Sequence, residues 1–299
     1  MKNAVYIIMV IGFVCALHTS PAMAVNRILA IGDSWGDALP DPLNSQLASH
    51  GHADYDVFNF ALAGVTADAY AHNVGGALDL TLNLLVAMPT IEVVFISLGG
   101  NDLWALYPAI GNGAFAEIEA DLRYLVDRIL ATRPDVDILF AAYDILKFDK
   151  SEFCLLFAYS IFGKFLPWEV SPLFIEIGNV QQRIDNDYPA VTYLNLWGTG
   201  QGNPGSPDIS SWSPSSYVGS EDEDCIHLSD SGYNQFALQI YCQYFAPRFG
   251  QSCSGSSWGV SASAEAGSLV SSTSVHWNGL AVLVIPLFAV IVWKRMRKR

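Results

Sequence analysis

The chain has 299 residues and a formal net charge of −14. Lys2 and the five basic residues of the last six set aside, nine Lys and Arg between positions 25 and 278 face all 29 Asp and Glu, a net of −20. So acidic a body repels nucleic acid and anionic lipid head groups, which excludes the basic footprint of a nucleic-acid binder.

From the N-terminus, Lys2 precedes an apolar run over residues 4–17, and Ala22-Met23-Ala24 supplies small residues for cleavage before Val25. Residues 1–24 therefore have the pattern of a secretory signal peptide, and export is expected. Residues 27–31 form an apolar, strand-like run that ends in Gly32-Asp33-Ser34-Trp35-Gly36-Asp37. A strand-to-helix turn of this kind can hold a hydroxyl out of the sheet and leave backbone N–H groups free where negative charge is stabilised.

The pattern predicts a helix over 43–50, a strand over 55–62 ending near Asn59 and Gly64, and broken helix over 66–86 with an interruption at Gly75-Gly76. A β-branched strand over 91–98 runs into Gly99-Gly100-Asn101-Asp102. Residues 113–132 carry the helical period, with Phe115, Ile118, Leu122, Leu125, Val126 and Ile129 on one side. A strand over 137–142, a helix over 170–187 and a strand over 191–196 follow. This alternation argues for an α/β domain over residues 25–250, with a parallel sheet covered by helices on both faces and ligand sites at the carboxyl ends of its strands.

Between the fourth strand and the next helix, residues 153–168 are apolar and aromatic. Two readings stand, a cover over the site that accepts an acyl chain and a buried helix, the second slightly favoured. Residues 202–218 are rich in Pro, Ser and Gly and look exposed. Residues 251–278 form a Ser/Gly-rich linker, 279–293 are continuously apolar, and 294–299 are basic but for one Met. A 15-residue helix spans about 22 Å against a hydrocarbon core of about 30 Å, a deficit that Trp277 and Lys294 at its ends can close. The expectation is a membrane or sorting helix with a cytoplasmic tail, holding the domain at the outer face of the cytoplasmic membrane or at the cell surface; in the sorting case a processing protease is a partner.

With Cys15 in the signal, Cys154, Cys225, Cys242 and Cys253 remain, and an even count in an exported chain favours disulfides. Three connectivities are possible; Cys242 with Cys253 and Cys154 with Cys225 is the preferred one. No Cys-x-x-Cys or paired His spacing suggests zinc, and the acidic run Glu221-Asp222-Glu223 lacks a cation-loop pattern, so neither metal nor cofactor is expected.

Near the end of the domain comes Asp224-Cys225-Ile226-His227, followed by residues 228–233 and a further helix. Three residues apart, a carboxylate and an imidazole can lie side by side, one ring nitrogen facing the Asp and the other a serine. His50, His52 and His72 have no such setting and are assigned to surface or satisfied core; His18 lies in the signal and His276 in the linker. Singly each motif has a bland reading, Ser34 as a helix cap, Asn101 as a turn former, Asp224 as part of a solvated acidic run.

Taken in order, Gly32-Asp33-Ser34, Asn59 with Gly64, Gly99-Gly100-Asn101-Asp102 and Asp224-x-x-His227 resemble the four motif blocks of the SGNH, or GDSL-type, lipase and esterase family. The resemblance covers about residues 27–248. It implies a flavodoxin-like three-layer α/β/α sandwich and a serine esterase, which the signal pattern of residues 1–24 makes an exported one. Ser34 would be the nucleophile, His227 the base, Asp224 its orienting group, and the Ser34 and Gly64 N–H groups with the Asn101 side chain the oxyanion hole. Trp35 follows the serine where a smaller aliphatic residue is common, and Ala61 stands where glycine is frequent, so the subfamily is left open. Asp33 and Asp102 are expected to brace loops. Trp35 and Trp104 are candidates for a substrate pocket, for a sugar or an acyl chain. The substrate is an ester of a small molecule, a lipid or a polysaccharide, a carbohydrate O-acetylesterase included; a surface binding module with a vestigial triad is the other class.

Overall fold

The computed structural model describes residues 25–141, 143–219 and 224–253. The signal segment, Glu221, Asp222 and Glu223, and everything expected of residues 254–299 lie outside the described residues.

Five strands form one parallel sheet: β1 (Val25–Gly32), β2 (Tyr55–Asn59), β3 (Val93–Ser97), β4 (Asp137–Ala141) and β5 (Val191–Leu194), in the order β2-β1-β3-β4-β5. The central strand is the most deeply placed: all five residues of β3 are buried. Between β1 and β2 lie α1 (Ser34–Ala38) and α2 (Pro40–Ser49). The connection from β2 to β3 carries α3 (Ala67–Ala71) and α4 (Ala77–Ala87) and must pass over β1, so right-handed crossovers put it on the opposite face. On that second face α6 (Ala114–Thr132), which follows β3 and α5 (Gly100–Ile110), packs against α3, α4 and α8 (Pro167–Asp187), whereas α9 (Asp230–Ile240), after the last strand, returns to pack on α2. The result is the three-layer α/β/α sandwich.

Periodicity and burial agree closely in α6, where the six apolar residues expected on one side are all buried. The predicted break in 66–86 is real: Asn73, Gly75 and Gly76 all adopt positive φ between α3 and α4. Prolines move two boundaries, since α2 begins at Pro40 and α8 at Pro167, where a missing N–H costs nothing in the first turn. The second strand ends earlier than its apolar pattern, at Asn59, whose side chain accepts the Ala61 N–H. The chain nevertheless stays beside β1, with Phe60 N–H donating to the Ala30 carbonyl and Leu62 N–H to that of Gly32.

Residues 153–168 match neither expectation in full. They hold α7 (Glu152–Phe162), a turn at Gly163 and the start of α8. One side of α7, Cys154, Ala158 and Phe162, is buried, but Phe153, Leu156 and Tyr159 are exposed, so the favoured buried helix is half correct. Both expected disulfides form, Cys154–Cys225 and Cys242–Cys253. The second one ties residue 253 back to the fold, three positions past the boundary drawn from composition. Among the described residues no single helix is long and apolar enough to cross a membrane.

Candidate active site

The chain leaves β1 for one side of the sheet and β2 returns it to β3 on the other, so the loops after β1 and β3 diverge and open a crevice between them. Ser34 lies after β1 and Asn101 after β3, and the two line one small cleft. Gly32 makes the sharp exit from β1. Its φ is +140°, and a Cβ built there would stand 2.2 Å from the Ser97 carbonyl oxygen, so β1 and β3 meet too closely for any side chain.

Asp33 caps α1, its Oδ1 accepting the Trp35 N–H at 3.0 Å, while its own N–H donates to the Ser97 carbonyl at 2.9 Å. The other carboxylate oxygen accepts from the Tyr143 hydroxyl, which in turn accepts the Gly100 N–H at 2.9 Å. Asp33 therefore braces the serine loop against the loops after β3 and β4. Burial pushes its carboxyl up to about 6, against the lowering effect of the Tyr143 and Trp35 hydrogen bonds. Asp102 is the other brace: it is buried and accepts the Ala67 and Asp68 N–H groups at 2.9 and 3.1 Å, and burial carries its carboxyl to about 7.

His227 Nε2 stands 2.7 Å from Ser34 Oγ. Its Nδ1 is 3.3 Å from Asp224 Oδ1, and that same oxygen accepts the His227 backbone N–H at 2.9 Å. Burial favours the neutral imidazole, but Asp224, aided by Asp33, outweighs it and holds the ring above its ordinary value. Burial likewise works to raise the Asp224 carboxyl, and hydrogen bonds from the His227 ring and backbone bring it below the usual range. A serine, an imidazole and a carboxylate thus lie in line, able to pass a proton from hydroxyl to ring.

Gly64 occupies a tight turn over 62–65, closed by the Val65 N–H on the Leu62 carbonyl at 3.1 Å, and its φ of +79° is the one a glycine supplies there. Asn101 donates one amide N–H to the Val65 carbonyl at 3.0 Å, which joins the second and third motif loops. Asn59, from the second block, donates to Asp37 at 2.9 Å and so holds this loop to α1.

Trp35 and Trp104 both line the cleft. Trp35 is only 4% exposed and meets Tyr143, Tyr233 and Phe236 edge to face, so it is a wall of the core rather than a free stacking platform. Trp104 packs among Phe157, Phe162 and Phe174. The cleft is small, about 260 Å³ with its open mouth included.

Three groups at the site have no motif to announce them: Tyr143, Lys147 and Lys150. Lys150 Nζ donates to the Asp224 and Gly219 carbonyls, the Lys147 N–H donates to that of Cys225, and Cys154 is bonded to Cys225. One short segment after β4 therefore clamps the loop that carries Asp224 and His227. The remaining described histidines serve elsewhere: His50 stacks on Tyr241, His52 on Phe249, and His72 pairs with Asp68 on the surface. That last pair is a carboxylate partner the spacing analysis did not credit, but both groups are well exposed. Among the described residues no group of three His, Cys, Asp or Glu could hold a metal ion.

The fold is a three-layer α/β/α sandwich with a crevice at the switch point of its parallel sheet, and Ser34, at that crevice, is hydrogen-bonded to His227. The family model for GDSL-like lipase/acylhydrolase matches residues 29–240, and the chain belongs to that family, whose members are carboxylic ester hydrolases. No curated protein matches the chain. Among solved structures, one assigned as a GDSL-like lipase from Parabacteroides merdae is 16% identical with a TM-score of 0.51, covering 74% of this chain and 97% of that one. A catalytic mutant of Axe2, an acetylxylan esterase from Geobacillus stearothermophilus, is 16% identical with a TM-score of 0.49, over 73% and 95%. The lipase/acylhydrolase from Enterococcus faecalis is 16% identical with a TM-score of 0.47, over 72% and 93%.

Proposed function

We propose that the protein is an exported, membrane-tethered serine esterase that hydrolyses short-chain carboxylic esters through an acyl-enzyme on Ser34. The observation that carries this is the 2.7 Å contact of His227 Nε2 with Ser34 Oγ, with Asp224 on the far side of the same ring. Ser34 Oγ attacks the ester carbonyl carbon as its proton passes to His227 Nε2, and the carbonyl electron pair moves onto oxygen. The oxyanion is held by the Ser34 and Gly64 N–H groups and by the second N–H of the Asn101 amide, the one not given to Val65. Collapse expels the alcohol, which takes the proton from His227. Water then attacks the acyl group with His227 again as base, the carboxylic acid leaves, and Ser34 recovers its proton.

The small cleft favours a short acyl group over a long one. The alcohol half lies outside the cleft, where a sugar or a lipid backbone fits equally well. Export draws support from the two disulfides and from the signal pattern of residues 1–24, and the tether from the apolar segment 279–293 with its basic tail. The test is the Ser34→Ala variant: p-nitrophenyl acetate turnover falls to the background rate while the fold and Tm stay as in the parent. Parental turnover in that variant would refute the mechanism.

A further inference from the structure

A helix that is apolar all round belongs in an interior. Beyond Glu152, α7 carries no charge, and its buried side faces the core through Cys154, Ala158 and Phe162. Its other side holds Phe153, Leu156 and Tyr159, and the turn into α8 adds Phe165 and Trp168; these five are 47–67% exposed. The rings of Tyr159 and Phe165 lie 6.2 Å apart, so helix and turn form one patch. Single exposed apolar residues are ordinary, but five large ones on one elbow, where α8 leaves α7 at 62°, mark a surface that something covers.

Charge and chemistry indicate what covers it. Between residues 153 and 168 Lys164 is the only charged side chain, in a domain of net charge −20. An acidic surface is repelled by phosphate; between Glu152 and Glu169 this elbow carries no acid and presents Phe, Leu, Tyr and Trp, the residue types that settle at the level of lipid head groups. Lys164 at the turn can extend its stem across the patch and leave its ammonium among head-group phosphates. The elbow also adjoins the cleft. Trp104, which lines it, packs at 5.1 Å against both Phe157 and Phe162 on the inner side of α7.

We infer that the elbow between α7 and α8 is a membrane-docking surface that rests on the head-group region of a zwitterionic bilayer beside the ester-binding cleft. The inference relies on the proposed tether only to keep a bilayer within reach, and it makes lipid-phase or interfacial esters the substrates that gain most from docking. It adds no step to the chemistry.

The test uses the full chain carrying Leu156→Cys, labelled there with a nitroxide and reconstituted in phosphatidylcholine vesicles. Val86→Cys, on exposed α4 far along the chain, is labelled as the control. Docking predicts that collisions with oxygen, relative to those with a water-soluble nickel chelate, rise several-fold at position 156 when vesicles are present and stay unchanged at position 86. A label at 156 that stays water-exposed while the chain sediments with the vesicles overturns docking alone; a chain that leaves the vesicles overturns the tether as well. Shielding from both reagents with and without lipid would show that protein covers the patch, either a second copy, seen by spin–spin broadening, or segment 279–293 of the same chain. Either result replaces the bilayer. Hydrolysis of p-nitrophenyl acetate by each labelled chain reads the catalytic site separately.

Discussion

The Asn101 side-chain amide donates to the Val65 carbonyl at 3.0 Å, so one of its two N–H groups is committed to holding the loop after β2 against the loop after β3. In the proposed mechanism the other serves the oxyanion, and the same bond fixes its direction. Asn101→Ala therefore removes a donor and loosens the turn that carries Gly64. Steady-state kinetics on p-nitrophenyl acetate are expected to show kcat lowered about 100- to 1,000-fold. An unchanged kcat would remove Asn101 from the site.

In the proposed mechanism the Asp224–His227 pair sets the acid limb of the pH profile. A base must be neutral to accept a proton, and the carboxylate holds the imidazole above its ordinary value, so activity is lost on acidification at a pH above the ordinary histidine value of about 6.5. Asp224→Asn takes away the charge that stabilises the imidazolium. The limb then moves to lower pH while the plateau of kcat/KM drops by about 10⁴-fold. A limb that stays in place would mean another group controls it.

Clamping of the triad loop by the segment after β4 separates the two disulfides in function. By loop length, Cys154–Cys225, 71 residues apart, contributes about 4 kcal/mol and Cys242–Cys253, 11 apart, about 3 kcal/mol. Both double Cys→Ala variants should unfold at lower urea concentration. Only the Cys154/Cys225 variant should also lose kcat, because only that bond holds the loop of His227. Lys150→Met, which frees the Asp224 carbonyl, is expected to lower kcat by about 10- to 100-fold through misplacement of the base and to leave the Tm within a few degrees.

The approach of β1 to β3 predicts a strict requirement for glycine at position 32. A methyl group there meets the backbone oxygen of Ser97, not a movable side chain. Gly32→Ala is expected to cost about 3–5 kcal/mol in denaturant unfolding, or to prevent folding. Gly64→Ala, whose Cβ has open space around it, should carry only the smaller backbone penalty of its positive φ.

Much of this was legible in the chain because the signals are local. Strands β1 and β3 announce themselves by β-branched runs that end in glycine, α6 by its period, and Asp224 and His227 by a spacing of three. The residues that escaped notice act through partners far away in sequence. Tyr143 reaches Asp33 across 110 positions, and Lys150 reaches the Asp224 carbonyl across 74. Neither contact leaves a mark in residue type or period. Trp35 shows the converse: its neighbourhood to Ser34 suggested a substrate platform, but the fold turns its ring beneath α1 into a cage of Tyr143, Tyr233 and Phe236. Residues 153–168 were ambiguous because an apolar run looks the same whether the solvent beyond it is protein, lipid or water.

The central claim is that Ser34 is a nucleophile activated by His227, and active-site labelling measures it most directly. Folded protein treated with a fluorophosphonate at neutral pH should gain one adduct mass, located on the peptide that contains Ser34, with labelling abolished in Ser34→Ala and strongly slowed in His227→Ala. Folded protein that takes up no label, or labels equally well after Ser34→Ala, would contradict the account.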